Sequence, residues 1–132
     1  MNANTYSIPA SGWGWVFDHT FSIAKEDSFM QRVFQIIKEN LADENFFLND
    51  LCRALHLERT QLYRKVKAST GKGPSELIRE ARLEKARNLL VQTEWSISEI
   101  AFQTGFKENS HFTKAYRTHF GKTPTEVRKG IN

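Results

Sequence analysis

The chain has 132 residues, one cysteine and a net charge of +4, enough for one domain or two very small ones and too few thiols for an intramolecular disulfide. No apolar run reaches the roughly 18 residues a membrane helix needs, and the first thirty residues lack the basic start and apolar block of a secretory signal, so a cytoplasmic protein is expected. Residues 1–55 carry four Lys/Arg against seven Asp/Glu, whereas residues 56–132 carry fifteen against eight, as expected if only the second part meets a polyanion.

Residues 1–25 mix Asn, Ser, Gly and Pro with Trp13, Trp15, Phe17 and Phe21 and show no 3.6-residue period. They read as a poorly ordered leader or linker, with packing onto a neighbouring domain or partner as the alternative. The rest, residues 26–132, is helical in pattern. A first helix is expected from about Ser28 to Leu41, capped by Asp27, with Phe29, Val33, Ile36, Ile37 and Asn40 or Leu41 on its apolar face. Residues 42–47 form the loop that follows.

From there the chain repeats itself. Leu48, Leu51 and Leu57 fall on Ile97, Ile100 and Phe106 at an offset of 49, and Leu62, Val66, Gly71 and Pro74 fall on Phe112, Tyr116, Gly121 and Pro124 at an offset of 50. Each copy reads as a short helix (Leu48 to Leu55; Ile97 to Thr104), a turn, and a longer helix (about Arg59 to Thr70; Asn109 to His119). Between the copies Pro74 opens a helix at its first position, where its missing N–H costs nothing. Leu77, Ile78, Ala81, Ala86, Leu89 and Leu90 carry that helix to about Gln92. Ser96 with Glu99, and Thr123 with Glu126, have the spacing of capping boxes, the second opening a last short helix. The expected fold is all-α: about seven helices, with two helix-turn-helix subdomains (28–72 and 96–130) joined by a long linker helix (74–92).

In a helix-turn-helix the first helix braces the second, whose outer face lies in the DNA major groove. Leu62, Val66 and Ser69 are expected to point inward in the first copy, leaving Thr60, Gln61, Tyr63, Arg64 and Lys67 outside. In the second copy Phe112, Tyr116 and Phe120 or His119 point inward, leaving Asn109, Ser110, Thr113, Lys114 and Arg117. Arg64 and Lys114 suit guanine acceptors, Gln61 and Asn109 adenine edges, and the Thr60 and Thr113 methyls thymine methyls. Lys67, Arg117 and the helix starts at Ser96 and Thr123 suit phosphates. A linker of nineteen residues spans roughly 28 Å, close to the ~34 Å between successive major-groove faces, so one monomer could read two grooves, bending the DNA as it does so.

The same residues carry little else. Cys52 aligns with Ala101 and reads as a small core residue. The histidines show no metal-ligand spacing, and no nucleophile–base grouping or phosphate loop is present, so neither catalysis, metal nor cofactor is expected. The rivals to a DNA-binding regulator are a protein-interaction module that has kept the fold, and a DNA-modifying enzyme for which this chain supplies no nucleophile.

The run LYRKVKASTG, then P-x-E-x-I-R-x-x-R-L-x-x-A-x-x-L-L, S-I-S-E-I-A-F-x-x-G-F and H-F-T-K-A-Y-R-T-H-F-G-K-T-P-T-E-x-R, resembles the DNA-binding domain of the AraC/XylS family of bacterial transcription regulators over about the last two thirds of the chain. The resemblance implies two helix-turn-helix units with their second helices in the major groove. It carries base contact to Thr60, Tyr63 and Arg64, and to Asn109, Ser110, Thr113 and Lys114. It also implies double-stranded DNA as partner, with RNA polymerase as a candidate, and leaves the oligomeric state open. Family members usually carry a sensor or receiver domain. The acidic stretch before the first repeat is similar to that in output domains of two-component hybrid regulators, so a larger regulator is favoured over a stand-alone one.

Four positions depart from the family pattern. His56 stands where the second copy has Gly105, so either His56 takes the turn's positive φ or the turn differs. Phe47 and Glu58 stand where a Ser-like cap is usual, predicting weaker helix starts in the first unit. Thr104 replaces an apolar residue, predicting a weaker core contact.

Overall fold

The computed structural model describes residues 28–130, so the expected leader and the Asp27 cap lie outside the described residues. Seven helices and no strand occur among them: α1 (Ser28–Glu39), α2 (Leu48–Leu55), α3 (Arg59–Thr70), α4 (Pro74–Gln92), α5 (Ile97–Gln103), α6 (Asn109–Phe120) and α7 (Pro124–Arg128). The fold is all-α, as the periodicity predicts.

Two apolar cores form, one on each half of α4. The first gathers Met30, Val33, Phe34, Ile37, Leu51, Leu62, Val66, Leu77, Ile78 and Ala81 among others. The second gathers Leu83, Ala86, Leu90, Ile100, Ala101, Phe112, Ala115 and Tyr116. α4 is the wall they share, and its middle is therefore buried on more than one stripe. Even Glu80, Arg82 and Glu84 are buried on it. The expected face of α1 is shifted by this packing: Met30, Phe34 and Leu41 are buried with Val33 and Ile37, whereas Phe29 and Ile36 only pack at the edge of the core. Asn40 is not a core residue, and its Nδ2 donates to the Ile36 carbonyl at 2.8 Å. Ser69 is only half-buried.

The turns of the two copies have the same hydrogen bonds. Leu57 N donates to Cys52 O at 3.0 Å and Phe106 N to Ala101 O at 2.9 Å, with the residue between them left-handed in both. His56 takes that conformation at φ 57°, and Gly105 at φ 85°. The turn is conserved in geometry, so the first copy bears the steric cost of a non-glycine residue there.

The helix starts are less unequal than the cap residues suggest. Ser96 and Glu99 exchange both bonds of a capping box (3.0 and 3.1 Å), as do Thr123 and Glu126 (3.1 and 2.9 Å). In the first unit Asp50 accepts from Phe47 N at 2.9 Å and Gln61 from Glu58 N at 3.1 Å. Each is half a box, so one of the orphan donors is still satisfied. The hydroxyl that Thr104 brings into the second core is satisfied as well. The residue is fully buried, and its Oγ1 donates to Ile100 O at 2.7 Å, which removes the cost of burying the hydroxyl.

Candidate nucleic-acid interface

The second helix of each unit is two-sided. On α3, Leu62 and Val66 are fully buried while Thr60, Gln61, Tyr63, Arg64 and Lys67 are exposed. On α6, Phe112, Ala115 and Tyr116 are buried, Asn109, Ser110, Lys114 and Arg117 are exposed, and Thr113 is half-buried. The inner faces dock through the apolar contacts above, strengthened in α6 by the Phe112 ring, whose centroid is 5.2 Å from that of Phe106 in the turn before it. The outer faces are left to solvent.

A matching pair of hydrogen bonds braces each unit. Arg59 Nε donates to Asn49 Oδ1 at 3.0 Å, and Asn109 Nδ2 donates to Ser98 Oγ at 3.3 Å. Arg59 and Asn109 correspond at the offset of 50, and Asn49 and Ser98 at 49. Each bond ties the start of the outward helix to the helix that supports it.

Beside each outward helix runs an open groove, and four lining residues of one correspond to four of the other. The one along α6 is lined by Asn109, Ser110, Thr113, Lys114, Arg117, Thr118 and Thr123. The one along α3 is lined by Arg59, Tyr63, Lys67 and Gly73 at the corresponding positions, with Leu48 and the start of α4. The structure thus brings all the expected second-unit residues together on one face and adds Thr123 but not Ser96. In the first unit it brings Tyr63 and Lys67 into the groove; Thr60, Gln61 and Arg64 are exposed on the same helix. Gln61 is partly committed to capping, and Asn109 to its brace.

One pair of neighbouring residues differs together between the grooves. A Cβ on Gly73 would lie 3.1 Å from the Tyr63 ring, so the tyrosine lies against the backbone there. The second copy has Thr113 and Thr123 in their place. Arg59 and Thr118 line the grooves without having been expected to. Arg59 was legible as the counterpart of Asn109.

Behind the C-terminal end of α6 lie charged groups on α4 and in the loop before it, of which Glu80 and Glu84 are buried. Arg87 pairs with Glu84 at 2.8 Å, His119 Nε2 lies 4.0 Å from the same carboxylate, and Lys72 pairs with Glu80 at 2.6 Å. Burial pushes the Glu84 carboxyl up and the His119 imidazole down from their ordinary ranges. Burial also pushes the Tyr116 hydroxyl up to about 12. That hydroxyl has no hydrogen-bond partner among the described residues.

The profile of a family described as "Helix-turn-helix domain" matches residues 51–130, and relatives show which regulators share it. The C-terminal domain of the two-component response regulator yesN from Fusobacterium nucleatum superposes with a TM-score of 0.72 at 30% identity, covering 76% of this chain and 98% of that one. The chain belongs to the AraC/XylS family, as its C-terminal DNA-binding domain. Among the relatives, Histidine kinase P4 of Formosa agariphila is 35% identical over 78% of this chain and 8% of its own length. The transcriptional activator RhaS of Klebsiella pneumoniae is 29% identical over 81% of this chain and 46% of its own. The chain spans less than half the length of these curated relatives. No helix among its described residues is long and apolar enough to cross a membrane.

Proposed function

We propose that the chain regulates transcription by binding double-stranded DNA sequence-specifically, with α3 and α6 in successive major grooves. The observation that carries this reading is the pair of equivalent grooves, each beside an exposed face with a cation at the same positions: Arg64 with Lys114, and Lys67 with Arg117. Thr60, Tyr63 and Arg64 read bases in the first unit, and Asn109, Ser110, Thr113 and Lys114 in the second. Gln61 adds a contact where it can leave its cap. Lys67, Arg117 and the backbone around Ser96 and Thr123 hold phosphates.

The matches to a histidine kinase and to a response-regulator domain support placing this chain at the output end of a cytoplasmic two-component regulator, with an upstream sensor or receiver domain and RNA polymerase as further partners. Selection of a binding site by the purified chain from random duplexes tests the reading. A site of about two helical turns is expected, with Arg64→Ala costing roughly 1–3 kcal/mol at one base position. A chain that selects no site would instead be an interaction module on the same fold.

A further inference from the structure

Gly105 belongs to the turn of the second unit, yet its nearest neighbours come from elsewhere. A Cβ there would stand 2.5 Å from the Leu41 carbonyl oxygen and 2.6 Å from Arg82 Nε, closer than any side chain can approach without displacing backbone. Leu41 lies in the loop after α1, in the first unit. Arg82 lies in the middle of α4, 8% exposed. Its Nη2 donates to Asp43 O at 2.9 Å and Phe46 O at 3.0 Å, and its guanidinium carbon is 6.0 Å from the Phe47 ring centroid. Phe106, next to Gly105, lines one hollow together with Phe47, Arg79 and Arg82. A loop of the first unit, a turn of the second and the centre of the shared helix therefore meet at one point.

The rest of the packing gives this point its importance. The first core ends along α4 at Ala81 and the second begins at Leu83, so Arg82 sits on the seam and the two cores do not merge across it. The pairs of helices in extensive contact either lie within one unit or include α4. With α4 alone between them, each unit could rock about its own half of that helix. The direct approach of Gly105 to Leu41 O, clamped by Arg82, opposes rocking.

We propose that the Gly105–Leu41–Arg82 contact is the joint that fixes the angle between α3 and α6, and so selects the spacing and rotational phase of the two half-sites. Gly105 and Arg82 are positioning residues. The inference rests on the reading of two docked units. A stiff joint presents the second helix at high effective concentration once the first has docked, and a loose one lowers it. Loosening should weaken binding to the correctly spaced site and soften the penalty for a wrong spacing, while a single half-site is bound as before.

Two measurements test the joint. The first reads it without DNA: pulsed electron-spin distances between labels at Ala68→Cys and Thr118→Cys, exposed and equivalent positions on α3 and α6, in a Cys52→Ala background. Gly105→Ala should shift and broaden the distance distribution. Gly121→Ala is the control, since Gly121 has the same positive φ (81°) in the same unit but open space around it; it should leave the distribution narrow. The second titrates unlabelled protein against duplexes whose half-site spacing varies by single base pairs. Gly105→Ala should lose about tenfold on the preferred duplex and flatten the preference, with Gly121→Ala and single half-sites little changed. If Gly105→Ala does not fold, Arg82→Met keeps the unbranched stem as far as the Nε position, removes both carbonyl bonds and should act likewise. Unchanged distances in the folded variants, or equal broadening by Gly121→Ala, would overturn the joint. A wild-type chain with no preference for two half-sites would overturn the two-unit reading instead, with the spin distances still deciding the joint.

Discussion

Lys67 and Arg117 correspond at the offset of 50 and line the two grooves, so removing either charge should have the same consequence if both units dock. The logarithm of a DNA-binding constant falls with the logarithm of salt by about 0.9 for each phosphate neutralised. Lys67→Ala should therefore flatten that slope by about 0.9, as should Arg117→Ala, and the double variant by about 1.8. Over a rise from about 50 to 200 mM salt, each single variant should lose about 3.5-fold less affinity than the wild type. Discrimination between the selected site and a duplex with one base changed should survive, because phosphate contacts carry no sequence information. Fluorescence anisotropy at four or five salt concentrations measures all of this. A slope unchanged by Lys67→Ala but flattened by Arg117→Ala would leave the first unit undocked; slopes unchanged in both would refute the assignment of the grooves to phosphate.

Three smaller changes probe the framework behind those faces. His56→Gly should raise stability by about 1 kcal/mol in urea unfolding, since it relieves a left-handed non-glycine residue; no gain would mean that His56 makes a compensating contact. Tyr116→Phe removes a buried hydroxyl with no partner and should raise the melting temperature or leave it unchanged, whereas a loss of about 1 kcal/mol or more would reveal a bond to that oxygen. The raised pKa of Tyr116 contributes stability that is complete below its ordinary pKa near 10 and is lost as the pH rises through about 12. Wild-type stability should accordingly fall more steeply than that of Tyr116→Phe across that window, and parallel alkaline limbs would count against the shift. Leu62→Ala, at a fully buried position of α3, should cost roughly 2–5 kcal/mol by calorimetry; a near-neutral result would mean that α3 is not packed on its core.

The repeat was legible because apolar spacing and turn residues are local signals. Pro74, the Ser96 and Thr123 boxes and the alternation of Leu62 and Val66 with charged neighbours each declare themselves within a few residues. The phase of α1 was harder to read. Its apolar residues come in doublets, Phe29–Met30, Val33–Phe34 and Ile36–Ile37, so two faces look equally apolar until α2 and α4 select one. The burial of Glu80, Arg82 and Glu84 was invisible for a different reason: charges on a helix normally mark its wet side, and only a helix enclosed by two units hides them. The contact of Gly105 with Leu41 joins residues far apart in sequence, and no local pattern reports it. Of the groove residues, Thr118 had no signal, whereas Arg59 could have been found by carrying the repeat one position further.

The pairing of Tyr63 with Gly73 bears on how such a reader can change its target. The edge of the ring lies where a side chain at 73 would begin, while Thr113 and Thr123 line the corresponding stretch of the second groove. Loss of the half-exposed tyrosine would open the first groove to water rather than leave a void, whereas a side chain gained at 73 would have to push the ring outward by a few tenths of an ångström. The width of the first groove is therefore set by position 63, and position 73 can change only as far as the ring can yield.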